Sequence, residues 1–373
     1  MRWIWQRPGW PEFSWDAGRL APLEARFLHE SGRRIGAWRH LSDRDRTDLR
    51  IEWLSDEALD TSEIEGEILN RASVQSSIRR HFGLGVEPRR VSAAEAGVAE
   101  MMVAVHRTFD TPLDHETLWR WHGTLMRERH WLAVIGGYRQ HQEPMQVVSG
   151  PDYNRRVHYE APPSDLMMTE MARFLAWYEG SRAVPALTRA GIAHFYFECI
   201  HPFEDGNGRI GRALAEKALA QSLGEPTLIA LSRAIVRRQA AYYAALESAG
   251  RSLDVTDWLV WFADTALAAQ NWGERRLIRL IEQTRMFDRL RGRLNPRQEK
   301  ALLRLFREEP DGFKGGLSAD NYRRITRASA STATRDLADL VAKGALRRTG
   351  ERRHTRYWLD LPSFGPADSA KLR

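Results

Sequence analysis

Apolar residues recur every three to four positions through most of this chain, a spacing that predicts a mainly α fold. The pattern runs through AGRLAPLEARFLHESGRRIGAWRHL, RTDLRIEWLSDEALD, VSAAEAGVAEMMVAVHRTF, HETLWRWHGTLMRE, PSDLMMTEMARFLAWYEG, ALTRAGIAHFYFECI and RAIVRRQAAYYAALESAG. A long helix follows, from about Asp257 to Arg291. One stretch breaks the period. In MQVVSGPDYNRRVHYEAPP, β-branched and aromatic residues flank Gly-Pro-Asp, which predicts a hairpin with a longer loop. From Leu294 the pattern changes. NPRQEKALLRLF, SADNYRRIT and SASTATRDLADLVAKG read as three helices, the last with a serine start and a glycine stop. ALRRTGERRHTRYWLDL reads as two strands around a basic turn. Helix, helix, helix, hairpin is the order of a winged helix-turn-helix, whose third helix enters the major groove in versions that bind DNA.

Composition changes this picture little. With 373 residues, 43% hydrophobic and 28% charged, the chain has room for two or three domains and a large core. Four tryptophans, Trp3, Trp5, Trp10 and Trp15, fall in the first sixteen residues and predict an extended arm packed onto the domain behind it. The first residues hold no apolar stretch of signal-peptide length, and no run of about 18 uncharged apolar residues occurs anywhere. Cys199 is the single cysteine, which excludes an intrachain disulfide and fits a reducing compartment. The expectation is a cytoplasmic protein with no membrane span.

Charge divides the chain. Residues 275–373 hold 24 Lys/Arg and 12 Asp/Glu, whereas residues 1–274 carry a small acidic excess, and the whole chain is at +7. A basic last quarter suggests a separate module that meets a polyanion or an acidic partner.

The densest chemistry lies in HPFEDGNGRIGR, His201 to Arg212. AHFYFECI before it is apolar enough for a buried helix, and GRALAEKALAQSL begins the next one. Gly206, Asn207 and Gly208 therefore fall in the loop feeding a helix N-terminus. Glycines there free several backbone N–H groups to face one anion, which the helix dipole also favours. Arg209 and Arg212, three apart, reach the same side. Asp205 at the lip is a hard oxygen ligand suited to a hydrated Mg²⁺ that bridges phosphates. His201 titrates near neutral pH and could take a proton from an incoming hydroxyl. Together these groups describe transfer from a nucleoside triphosphate. A polar loop before a helix would explain any one of them, but not the set. His194, Glu198 and His201 share a helical face at i, i+4 and i+7. Among Phe195, Tyr196 and Phe197 they read as core residues rather than a zinc site.

HPFEDGNGRIGR resembles the signature of the Fic (filamentation induced by cAMP) family, H-P-F-x-D/E-G-N-G-R-x-x-R, at every defined position. The resemblance implies a Fic-type helical core with a small β-hairpin flap, which transfers AMP from ATP to a Tyr, Ser or Thr hydroxyl of a protein target. By it, His201 is the base, Phe203 anchors the loop, and Asp205 holds Mg²⁺. Gly206, Asn207, Gly208 and Gly211 line the phosphates, Arg209 grips the β-phosphate region, and Arg212 takes the γ-phosphate. The hairpin, through Val147, Val148, Val157 and Tyr159, resembles the flap that docks the target by strand pairing. Tyr242 resembles a nucleotide-side tyrosine, although such helices also carry core tyrosines.

TSEIEGE, Thr61 to Glu67, resembles the family's N-terminal inhibitory motif, S/T-x-x-x-E-G/N, with Thr61, Glu65 and Gly66 at the matching positions. A Glu65 carboxylate on Arg212, bidentate by preference, would occupy the guanidinium that the γ-phosphate needs. A preference of about 3 kcal/mol for that locked form leaves about one molecule in 150 competent. The same residues also read as a solvated glutamate before a glycine stop.

The expected organisation is an N-terminal arm and helices over 1–90 and a catalytic core over 91–292, with its flap near 145–160. A winged helix over 293–362 and a tail over 363–373 complete it. Arg347, Arg348, Arg352, Arg353 and Arg356 crowd the wing. Phosphate contacts there would make DNA binding salt-dependent, while protein docking or homodimerisation suits the same module. Two other activities stay open: removal of AMP from a modified hydroxyl by the same site, and a DNA-binding regulator or toxin-like protein.

Overall fold

The computed structural model describes residues 2–85, 89–150, 155–227, 229–307 and 315–361. It divides into two compact units, Met1–Asn271 and Trp272–Arg373.

The first unit is helical, and its early helices start where the sequence supplies a cap. Helices α1 (Ala17–Arg39), α2 (Asp43–Ile64), α3 (Arg71–His81), α4 (Ala93–Arg107) and α5 (His115–Leu125) open on Asp16, Ser42, Asn70, Ser92 and Asp114. Each of these side chains accepts from a first-turn N–H. In α4 Glu95 reaches back to Ser92 and completes a capping box. The hairpin follows: β1 (Gln146–Ser149) runs antiparallel to β2 (Arg156–Glu160), with Gln146 opposite Glu160 and a bulge between Val147 and Val148. The Pro151–Asp152 part of its expected turn lies outside the described residues.

Next come α6 (Met167–Gly180), α7 (Ala186–Ile200), α8 (Asn207–Leu223), α9 (Leu231–Val236), α10 (Gln239–Ala249) and α11 (Thr256–Arg289). Helix α7 is apolar on every face and buried along nearly its whole length, as a central helix must be. Its packing on α8 is the most extensive between any two elements. The single helix expected over 233–250 is two, because Arg238 at φ −132° leaves the helical region between α9 and α10.

The tryptophan arm packs as expected. Trp5 Nε1 donates to Glu160 O at 2.8 Å, and Trp10 Nε1 donates to Glu170 Oε2 at 2.9 Å. Trp10 and Phe13 set their edges against Tyr196 of α7, and Ser14 bridges Asp254.

The second unit contains α12 (Pro296–Arg307), α13 (Ala319–Thr326), α14 (Ala330–Ala342) and an antiparallel pair, β3 (Leu346–Thr349) and β4 (Arg356–Leu359). Its core gathers Leu302, Leu305, Tyr322, Leu337, Leu340 and Leu346. Buried Asp336 ties three elements by accepting from Asn295 Nδ2, Arg297 Nε and Tyr322 OH. Met286 and Leu290 belong to this core too. The unit therefore begins within α11, about twenty residues before the expected boundary at 293. The expected tail, 363–373, lies outside the described residues. Among those residues, no helix is long and apolar enough to cross a membrane.

Candidate active site

Helix α7 ends at His201, whose backbone turns left-handed at φ 50° and ψ 58°. For a residue with a Cβ this conformation costs about 1–3 kcal/mol and persists only where its surroundings enforce it. Arg139 does so. Its Nε donates to His201 O at 2.8 Å, its Nη1 to Ser164 Oγ at 2.8 Å and its Nη2 to Pro162 O, while its backbone N–H donates to Pro202 O at 2.9 Å. Two residues on, fully buried Phe203 stacks on the His122 ring at 4.1 Å. Asn207 closes the loop. Its Oδ1 accepts from Phe203 N at 3.0 Å, and its Nδ2 donates to Phe203 O at 2.8 Å. Both ends of that side chain are thus committed to the loop, and Asn207 faces an anion only through its backbone N–H.

Gly206, at φ 84°, turns the chain into α8. The first-turn N–H groups of Asn207, Gly208 and Arg209 have no intrahelical acceptor. Asp205 lies at the rim with its side chain 41% exposed, and its Oδ1 accepts from Gly206 N at 2.5 Å and from Arg209 Nη2 at 3.4 Å. Arg209 and Arg212 are nearly inaccessible, at 3% and 1%. Among the described residues, each keeps one buried nitrogen, Nε in Arg209 and Nη1 in Arg212, without a hydrogen-bond partner.

The end of α2 meets this cradle. Arg212 Nη2 donates to Glu65 Oε1 at 2.7 Å and to Thr61 O at 2.9 Å, and Arg212 Nε donates to Thr61 Oγ1 at 2.8 Å. The Glu65 contact is a single bond to Nη2 rather than the expected bidentate pair, and Thr61 fills the Nε/Nη2 edge of the guanidinium. Gly208 permits the approach: a Cβ there would stand 2.2 Å from Glu65 Oε1. Burial opposes the charge of Arg212, but Glu65 more than offsets it and holds the guanidinium above its ordinary pKa. Glu67 follows on Arg209, accepting from Nη1 at 2.6 Å.

Electrostatics sets the protonation of the titratable groups here. Burial, with Arg139 nearby, pushes His201 down to about 4, so its imidazole is neutral at pH 7. Nδ1 faces the Glu198 carbonyl oxygen at 3.4 Å, which leaves Nε2 as the basic nitrogen. Burial and the charge of Glu65 push Glu198 up to about 8, against the pull of Arg212. The Glu198 carboxyl lies 3.7 Å from His201 Nδ1 and close over Gly211, where a Cβ would meet Oε1 at 2.9 Å.

The remaining expected residues lie around this centre. Tyr242 is buried, with its hydroxyl 2.8 Å from His194 Nε2. The neighbouring Tyr243 is the exposed one, and it donates to Ile64 O at the end of α2 at 3.1 Å. In the hairpin Val147, Val148 and Val157 are 39–40% exposed. Tyr159 instead turns inward and donates to Cys199 O at 2.8 Å, anchoring β2 two residues before His201. Sequence reasoning missed Arg139 and Glu67 and read Glu198 only as a core residue. Only Glu198, an acid inside an apolar helix, carried a signal.

Comparison with known proteins bears on this geometry. Residues 112–219 match the Fic/DOC family, and residues 3–84 match a domain of unknown function, DUF4172. The first match holds the cradle; the second holds Thr61, Glu65 and Glu67. A protein adenylyltransferase, fic-1, of Caenorhabditis briggsae is 32% identical over 87 residues, 23% of this chain and 16% of that protein. A probable protein adenylyltransferase of Aquifex aeolicus is 30% identical over 90 residues, 24% of this chain and 26% of its own. The chain thus spans about a quarter or less of these relatives. A Fic family protein from Desulfovibrio desulfuricans G20 superposes with a TM-score of 0.53 at 21% identity, covering 94% of this chain and 98% of its own. Residues 112–219 thus carry a Fic/DOC domain, and the fold is that of a Fic family protein.

Proposed function

We propose that this protein transfers AMP from ATP to a hydroxyl side chain of a protein target and restrains itself through Glu65. One observation carries the reading. The Glu65 carboxylate sits on Arg212 and against Gly208, on the N-terminus of α8 where a phosphate would otherwise lie. The adenylyltransferase names of the relatives support the same chemistry.

In the working form, the first-turn N–H groups of α8 with Arg209 and Arg212 bind the phosphates and orient the α-phosphate. His201 Nε2 accepts the proton of the target hydroxyl as its oxygen attacks, and pyrophosphate leaves. Among the described residues no group of three or more His, Cys, Asp or Glu could hold a metal. Asp205 still fits Mg²⁺: it is half exposed at the cradle rim and among the described residues only its Oδ1 accepts hydrogen bonds, and such an ion is held by one carboxylate plus substrate phosphates. When bound, Mg²⁺ would neutralise phosphate charge there. An edge of the two-stranded β1–β2 sheet would receive the target backbone as an added strand. Hydrolytic removal of AMP is the second reading, favoured by the Glu65 carboxylate lying inside the cradle, where it could orient a water. The second unit, by its helix–helix–helix–hairpin order, is read as a winged helix that selects a target or DNA.

The test uses ATP labelled at the α-phosphate with Mg²⁺, comparing the natural chain, Glu65→Gly, and Glu65→Gly with His201→Ala. Label on protein is expected in the single variant only. Its absence from all three would refute transfer, and release of AMP from a pre-modified target would then decide for the hydrolase.

A further inference from the structure

We propose that Arg129 is a third phosphate-binding guanidinium of this site, and that Glu67 occupies its subsite as a second lock. The proposal rests on the nucleotide-binding reading above and adds to it a residue and a regulatory contact.

Helix α2 stops at a glycine. Gly66 adopts φ 80°, its N–H donates to Glu63 O at 2.9 Å, and the N–H of Glu67 donates to Ser62 O at 2.9 Å. This is a Schellman stop, and it fixes the residues on both sides of the glycine. Two carboxylates, Glu65 and Glu67, thereby stand at the C-terminal end of a helix, where the dipole disfavours negative charge. Guanidinium partners offset that cost. Glu65 takes Arg212, while Glu67 bridges two arginines, with Oε2 2.6 Å from Arg209 Nη1 and Oε1 in an ion pair with Arg129.

A carboxylate held between two guanidinium groups offers its oxygens where a phosphate would offer its own. The arginines are not fully satisfied by it. Arg209 Nε and Arg212 Nη1 are buried without acceptors, and a buried, unfilled donor on a charged group is costly. A polyphosphate has more acceptor oxygens than two carboxylates and can fill them. Arg129 comes from the turn after α5, held by its N–H to Met126 O at 2.8 Å, with its guanidinium over the Trp131 ring at 5.0 Å. It is thus presented beside Arg209 without belonging to the His201–Arg212 loop. A nucleoside triphosphate would displace Glu67 from both arginines. Because Glu65 and Glu67 share one turn, the two locks yield together.

Equilibrium binding separates this proposal from transfer itself. Isothermal titration with Mg²⁺ and ATP, AMP or inorganic tripolyphosphate would compare the natural chain with Glu67→Gln, Glu65→Gly, Arg129→Gln and the Glu67→Gln/Arg129→Gln pair. Glu67→Gln is expected to tighten ATP and tripolyphosphate about tenfold with AMP unchanged, and adding Arg129→Gln to reverse that gain. If Glu67→Gln leaves the ATP-to-AMP ratio as it was while Glu65→Gly raises it, Glu67 is only a helix-end contact and the proposal is overturned. If no variant binds ATP but tripolyphosphate binds in an Arg129-dependent way, the nucleotide reading falls and the subsite stands. If neither ligand binds any variant, both fall. Circular dichroism on each variant distinguishes lost binding from lost folding, and a variant that fails to fold leaves Arg129→Lys, which keeps the charge and should retain most of the tripolyphosphate affinity.

Discussion

His201 holds a backbone conformation that glycine adopts more easily, and its imidazole lies in surroundings that disfavour charge. Both features come from neighbours distant in sequence: Arg139 holds the backbone, and burial, with Arg139 second, disfavours the charge. With its pKa lowered from 6.5 to about 4, the imidazole stays neutral as pH falls through 6 and is lost as a base only near 4. In the Glu65→Gly variant the acid limb of kcat/KM should therefore lie below about pH 5. Removing the Glu65 carboxylate takes away a charge that raises this pKa, so the variant moves further in the same direction. Initial rates between pH 4 and 8 measure it, and an acid limb at 6.5 would show that the working imidazole is solvated. At this scale the sequence was legible wherever chemistry demanded a residue type at fixed spacing, as from His201 to Arg212. Arg139, Arg129 and Glu67 were not legible. Each is one charged side chain among many, and its role exists only through partners from other elements.

Among elements, the helices with strong apolar periodicity were legible, and their caps explain where several begin. Helix α3, RASVQSSIRRH, escaped notice because its short apolar stripe is interrupted by serines. The stop after α2 was legible as a glycine, but not as the device that aims two carboxylates. Gly66 meets nothing within 4 Å at its Cβ position, so Gly66→Ala adds strain without a clash. The left-handed conformation costs alanine about 1 kcal/mol, and that cost falls on the locked form, which needs the stop. Basal label incorporation by Gly66→Ala should rise about fivefold over the natural chain. Incorporation unchanged from the natural chain would mean that the arginines alone position the lock.

For the whole first unit, buried ionisable groups make stability a function of pH. Burial lowers His106, His122 and His201 to about 4 and His194 to about 3. Each unfolds into a state that binds a proton below about 6.5, so stability from these groups is present above 6.5 and lost as pH falls toward 4. Burial acts oppositely on the acids, raising Glu57 to about 7, both Asp60 and Glu198 to about 8, and Glu216 well above its ordinary value. Their contribution is full below the unfolded value near 4.5 and is lost as pH rises from about 7 upward. Each group contributes a slope of up to about 1.4 kcal/mol per pH unit, and the opposing slopes cancel between about pH 5 and 6. The unfolding temperature of this unit should therefore peak between about pH 5 and 6 and fall on both sides. Thermal unfolding from pH 4 to 9 measures the curve, and Glu198→Gln should flatten its alkaline side by removing one of the four acids. A curve that climbs steadily to pH 8 would mean that these carboxyls ionise in the folded state without penalty. The neutral Glu198 beside His201 would then be lost as well, and with it the electrostatic setting of the base.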